Sequence, residues 1–273
     1  MNKFELPQIK TLKFSAYYAF LVGFAVTFTV QIGQSLVIWP TFFYPFLFHF
    51  LLPLAFLTGT GGAIILLMGW FHVDKNTVRD WLIYPTKPIN FLLGFLCFIF
   101  ALPFAEWSTG LVPTDTQIFQ DLYNTFESSF LQMLNYKIAG FITVCILAPI
   151  LEEIIFRGFI LRGILNSGTS PWIAILVSGI IFGAAHLNPW QFIGAGILGI
   201  IFGFIYYKTK SLLLVIFLHA ANNIFSFIMM MKYKQMDEQI IESSSLSPVF
   251  ISLIISLIAG YFLSKKNIKH LWN

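Results

Sequence analysis

Apolar residues in this chain come in long runs separated by short polar stretches. A helix needs roughly 20 mostly apolar residues to cross the ~30 Å hydrocarbon core of a bilayer. Eight runs reach or approach that length, at about 14–38, 46–71, 89–112, 138–165, 172–187, 190–207, 211–231 and 248–264. They predict an all-α, polytopic transmembrane bundle of about eight spans. The fifth and sixth runs are short and share a tight turn at Asn188-Pro189-Trp190. Those ends are expected inside the bilayer, shielded by protein. The first run is too long for a cleaved signal peptide and lacks a clear small-residue cleavage site, so it is read as an uncleaved span.

Residues 114–135 carry a different pattern. Phe119, Leu122, Phe126 and Phe130 fall on one helical face and Gln117, Asp121, Asn124 and Glu127 on the other. The segment has no basic residue, so attraction to anionic lipid is not its role. It reads as a lid or packing piece in the outer interface. Lys232–Pro248 is polar and reads as an outer loop. With no internal repeat or low-complexity tract, the chain reads as one domain in three stretches: 1–137 with spans one to three and the interfacial helix, 138–231 with spans four to seven, and 232–273 with the outer loop and last span.

Composition narrows the class. Of 273 residues, 58% are hydrophobic and 10% charged, with a mean hydropathy of +0.80. A soluble domain carries about 25% charged residues, so this chain cannot coat a water-exposed surface. An ordinary cytosolic enzyme, a disordered protein and a small secreted disulfide domain are excluded, and an integral membrane protein remains. Cys97 and Cys145 both fall in apolar runs, which predicts no disulfide and no cysteine metal site. The net charge of +4 matters through its placement. Lys3, Lys10 and Lys13, then Lys75, Arg79 and Lys87, then Arg157 and Arg162, then Lys208 and Lys210, then Lys265, Lys266 and Lys269 fall on one side of an eight-span arrangement. Only Lys137, Lys232 and Lys234 fall on the other. The positive-inside rule then makes both termini cytoplasmic. The lipid bilayer is the expected partner of this surface, and nucleic acid is not.

Ionisable groups concentrate in three spans, where a charge at the bilayer centre costs at least ~2.5–3.5 kcal/mol. Span four contains Glu152-Glu153 followed by Arg157. Glu153 and Arg157 are four apart with the acid first, the better order for a helical ion pair. Glu152 points about 100° away and has no cation in its own helix. A lone carboxyl in apolar surroundings gains a proton or finds a partner elsewhere, and one poised that way can act as a general base. The bland alternative for Glu153 and Arg157 is an ion network that joins spans. Pro149 removes a backbone hydrogen bond one turn earlier and can open the helix near the carboxylates. Span five has Gly179 and Gly183, a small-residue face for close packing, and ends on His186. Span seven has His219 and Asn223 on one face, with Asn222 turned away. These could be polar glue between helices, or donors for an oxyanion. Counted from the cytoplasmic ends, Glu152 lies ~20 Å deep, His186 ~21 Å, Asn223 ~18 Å and His219 ~12 Å.

A carboxylate, two histidines and an amide suit addition of water to a carbonyl. The chain has no Gly-x-Ser-x-Gly and no His-Glu-x-x-His. Water activated by Glu152 and His186 is one route. A divalent metal such as zinc, held by Glu152, His186 and His219, is the other. The spacing does not separate them.

Glu152-Glu153-x-x-x-Arg157, Phe182-x-x-x-His186 and His219-x-x-x-Asn223 resemble, in order and spacing, the three motifs of the CPBP family. This family contains the type II CAAX prenyl endopeptidases and bacteriocin-processing enzymes, and is also called Abi. The resemblance covers about residues 138–225. It implies intramembrane endoproteolysis in an eight-helix bundle, with Glu152 activating water, His186 assisting, His219 and Asn223 holding the oxyanion, and Glu153 and Arg157 shaping the site. The family is described both as metalloproteases and as metal-independent glutamate proteases, so it leaves the metal open. Its eukaryotic members cut prenylated C-terminal tripeptides. The short loops here look bacterial, which points to the inner (plasma) membrane and to another membrane protein or peptide as substrate. Peptide maturation, bacteriocin self-immunity and membrane-protein cleavage are the corresponding roles. A transporter or proton relay also uses buried carboxylates and histidines, but no matching half-sequences with interrupted helices are evident. A non-catalytic scaffold or immunity protein is the third reading.

Overall fold

The structure, a computed structural model, describes residues 11–233 and 246–266, and all of its regular elements are helical. Lys3, Lys10, Lys234, Lys269 and most of the polar stretch expected as an outer loop lie outside the described residues. Eight helices follow the eight apolar runs: α1 (Ala16–Phe42), α2 (Pro45–Phe71), α4 (Pro88–Thr109), α6 (Lys137–Asn166), α7 (Pro171–Ala184), α8 (Pro189–Thr209), α9 (Leu212–Lys232) and α10 (Leu246–Lys265). Two further helices lie between them, α3 (Lys75–Leu82) and α5 (Gln117–Asn135). Seven of the eight are long and apolar enough to cross a membrane, and the chain is a multi-pass membrane protein.

The exception is α7. Its 14 residues span about 21 Å at 1.5 Å per residue, short of the hydrocarbon thickness. The sequence placed the fifth and sixth runs together as short. The structure corrects the sixth, because α8 has 21 residues. Asn188 caps α8, its Oδ1 accepting the Gln191 N–H at 2.8 Å, and Pro189 sits in the first turn where a missing N–H does no harm. Helix α4 is broken near Phe100 and Ala101 because Pro103 has no N–H to give the preceding turn.

The segment between spans two and three is more than a charged loop. Asp74 caps α3 through the Thr77 N–H at 2.8 Å, a bond that holds its carboxyl below the usual range. Val78, Trp81 and Leu82 share a face, and Trp81 is buried against Phe159 of α6, with ring centroids 5.2 Å apart.

Helix α6 is the axis of the bundle. It contacts α1, α2, α3, α7, α8 and α9, and every residue from Glu153 to Leu165 is buried. Where α6 is covered on all sides it has no lipid-facing stripe, so the polar side chains of that stretch must find partners within the protein. Around it, α1 pairs with α2, α7 with α8, and α4 with α10. The amphipathic segment forms the helix α5 and packs its aromatic face on α8. Phe119, Tyr123 and Phe126 set their rings 6.3, 5.2 and 6.2 Å from the buried Trp190 at the start of α8.

Candidate active site

The carboxylate pair lies in Ala148–Glu153, a regular α-helical turn between two π-helical segments, Ile142–Leu147 and Ile154–Leu161. Such wide turns inside helices are frequent at functional sites. Side chains from α7, α8 and α9 meet this stretch.

Glu153 is the electrostatic centre. Its Oε1 accepts a hydrogen bond from Arg157 Nη1 at 2.9 Å and another from His219 Nδ1 at 2.9 Å. Glu153 and Arg157 are both fully buried. Arg157 Nη2 donates to the Gly199 carbonyl of α8 at 3.1 Å, and the guanidinium lies 4.5 Å over the Phe182 ring. A buried ion pair persists only where further hydrogen bonds offset desolvation, and here they come from two other helices. Arg157 and Arg162, counted above among the cytoplasmic charges, are therefore committed to protein partners. Arg162 Nη2 donates to the Tyr206 hydroxyl and its guanidinium lies 4.7 Å over Trp81.

Glu152 projects elsewhere, as its 100° offset predicts. Its side chain is 18% exposed, against none for Glu153, so one carboxylate is accessible from outside the bundle and the other is sealed. Its Oε2 lies 4.0 Å from His219 Nε2. With Nδ1–H committed to Glu153, the second nitrogen of His219 is the one that faces Glu152. The gap is too long for a direct hydrogen bond.

His186 closes α7. Its Nδ1–H donates to the Phe182 carbonyl at 2.9 Å, which leaves the lone pair on Nε2. The Phe182 ring stands edge-on between the two histidines, 5.2 Å from His186 and 5.8 Å from His219. Among the described residues no hydrogen bond or ion pair joins His186 to Glu152. The chain leaves His186 through Leu187 at φ 57°, a left-handed conformation uncommon for a bulky residue. This allows the reversal into α8.

Asn223 reaches α6 as well. Its Nδ2 donates to the Val144 carbonyl at 2.8 Å. Asn222, expected to be turned away, curls back and donates from Nδ2 to Asn223 Oδ1 at 3.2 Å. Helical periodicity missed this bond because it follows the Cα direction and not the reach of the amide. The motifs also passed over Glu106, a carboxyl inside α4 whose side chain is exposed.

The structure thus brings Glu152, Glu153, Arg157 and His219 into one cluster, with His186 joined to it through Phe182 and Asn223 anchored on the same helix. Among the described residues, no three His, Cys, Asp or Glu side chains gather closely enough to hold a metal ion. Glu152, His186 and His219 do not fit as a ligand set in this arrangement.

Residues 134–225 match the family model described as type II CAAX prenyl endopeptidase Rce1-like. Over 87 residues the chain is 39% identical to the Bacillus subtilis protein named "Putative membrane peptidase YdiL", covering 32% of this chain and 35% of that protein. Over 165 residues it is 26% identical to UPF0177 protein YxdF of Lactococcus lactis, covering 59% of this chain and 87% of that protein. The chain thus spans about a third of the first of these relatives. No solved structure matches it. These matches bear out the CPBP resemblance over the segment that carries the three motifs, and bacterial relatives make the plasma membrane the bilayer it spans.

Proposed function

We propose that this protein is an intramembrane endopeptidase that cuts peptide bonds of membrane-associated proteins or peptides with water activated by Glu152. The observation that carries this reading is the division of labour between adjacent carboxylates: Glu153 is sealed and holds His219, while Glu152 is partly exposed and lies 4.0 Å from that histidine. The match to the CAAX endopeptidase model supports the reaction class.

In this reading Glu152 takes a proton from water, with His186 Nε2 orienting it, and the hydroxide attacks the scissile carbonyl. The developing oxyanion is held by His219 Nε2–H and the Asn223 amide. With Nδ1–H already given to Glu153, donation from Nε2 requires a proton on both nitrogens of His219. Glu152 then returns the proton to the departing amine. No step uses a metal. Both termini are cytoplasmic in this reading, from the placement of lysine and arginine.

The test is hydrolysis of a panel of fluorogenic peptides by purified protein in proteoliposomes. Glu152→Gln keeps the shape of the side chain and should lower turnover at least ~100-fold. Full activity in that variant overturns the assignment. Substrate flux without hydrolysis would favour a transporter. Loss of activity on chelation, restored by zinc, would replace the metal-free scheme.

A further inference from the structure

The hydrogen bond from Asn223 to the Val144 carbonyl depends on an irregularity in α6. In a regular α-helix that carbonyl would accept the Ala148 N–H, four residues on. Here the Ala148 N–H goes to Thr143, five residues back, which is the π register. In that register the donor for Val144 would be residue 149, and residue 149 is proline, which has no N–H. The Val144 carbonyl is therefore left without its main-chain donor in the middle of an apolar helix. A carbonyl inside a membrane-spanning helix needs a partner within the protein, and Asn223 Nδ2 supplies it at 2.8 Å. The other end of the same amide accepts from Asn222 Nδ2 at 3.2 Å. Both ends of the Asn223 amide are thereby fixed. An amide nitrogen carries two hydrogens. Val144 takes one, and the other remains for a developing negative oxygen.

We infer that Pro149 is a positioning residue for catalysis: by denying Val144 a main-chain donor, it holds the Asn223 amide in the orientation that an oxyanion donor needs, with Asn222 fixing which end of the amide is which. The inference rests on the reading of Asn223 as an oxyanion donor. It gives the proline three residues before the carboxylates a chemical purpose beyond loosening the helix.

Pro149→Ala restores an N–H that faces the carbonyls one turn back and competes with Asn223. Turnover should fall about 10- to 100-fold, toward the loss expected for removal of an oxyanion donor, with KM unchanged within about twofold. In an Asn223→Ala background the same substitution should add no further loss, because the residue it positions is gone. Independent losses that multiply would overturn the inference. A readout without activity is the side-chain amide resonance of Asn223 in protein labelled with 15N-asparagine, assigned by its disappearance in Asn223→Ala. It should move in Pro149→Ala, and an unmoved resonance overturns the inference even if the wild-type protein cleaves no peptide and the proposed function fails. Should Pro149→Ala not fold, Asn222→Ala leaves the α6 backbone intact. It should lower kcat at constant KM and shift the same resonance, with Asn222→Ser, which keeps a donor, recovering part of both. Unchanged kcat and resonance in Asn222→Ala would overturn the inference.

Discussion

Glu152 and Glu153 are neighbours in the chain and opposites in environment. Glu153 is anchored by Arg157 and His219, so Glu153→Gln leaves a buried guanidinium short of its anion. Removing one partner of a buried pair costs on the order of 3–5 kcal/mol, and thermal unfolding in detergent should register that loss. Glu152→Gln should shift the same unfolding by less than about 1 kcal/mol, because its side chain is partly exposed and makes no direct hydrogen bond. If the two variants destabilise equally, the division between anchor and base is wrong. The pairing of Glu153 with Arg157 was legible from their four-residue spacing. The bond from His219 to Glu153 was not, because it joins positions 66 apart and side-chain depth along separate spans fixes height but not azimuth.

At the scale of elements, the contact between α7 and α8 decides where His186 stands. A Cβ added at Gly183 would lie 2.5 Å from the Phe192 carbonyl oxygen and 3.0 Å from the Gly196 Cα, both in the backbone of α8. Backbone cannot swing aside, so Gly183→Ala should destabilise the protein by about 1–3 kcal/mol and lower turnover by displacing the end of α7. Gly61→Ala, with nothing within 4 Å of the added carbon, is the control and should be neutral in both assays. The small-residue face of α7 was plain in the sequence, but not its partner. The helix α3 carries its own dependence on pH. The Asp74 carboxyl is held low by the Thr77 N–H, so its capping contribution is complete above the ordinary carboxylate range. It is lost as pH falls through the depressed value. The protection of the Thr77 amide, its exchange rate taken relative to the intrinsic rate at each pH, should fall in the wild type as pH is lowered from 6 and stay level in Asp74→Asn, which caps at every pH.

The whole molecule is a bundle wrapped around α6, and its orientation in the membrane can be read with thiols because both native cysteines are buried. Single cysteines at Lys13, Lys87 and Lys265 should react with an impermeant maleimide only when the cytoplasmic face is exposed, and one at Lys137 only from outside. The opposite pattern would overturn the topology. The number and rough limits of the apolar runs, the amphipathic helix α5 and the three polar motifs followed from sequence alone, because membrane insertion is decided locally, by the transfer free energy of each stretch of about twenty residues. Which carboxylate is sealed, which nitrogen of His219 is left facing Glu152, and that a carbonyl stripped of its donor by Pro149 is met by Asn223 were decided only when α6, α7, α8 and α9 packed together. Those outcomes depend on the rotation of each helix about its own axis, and in a bilayer that rotation is set by contact with neighbouring helices.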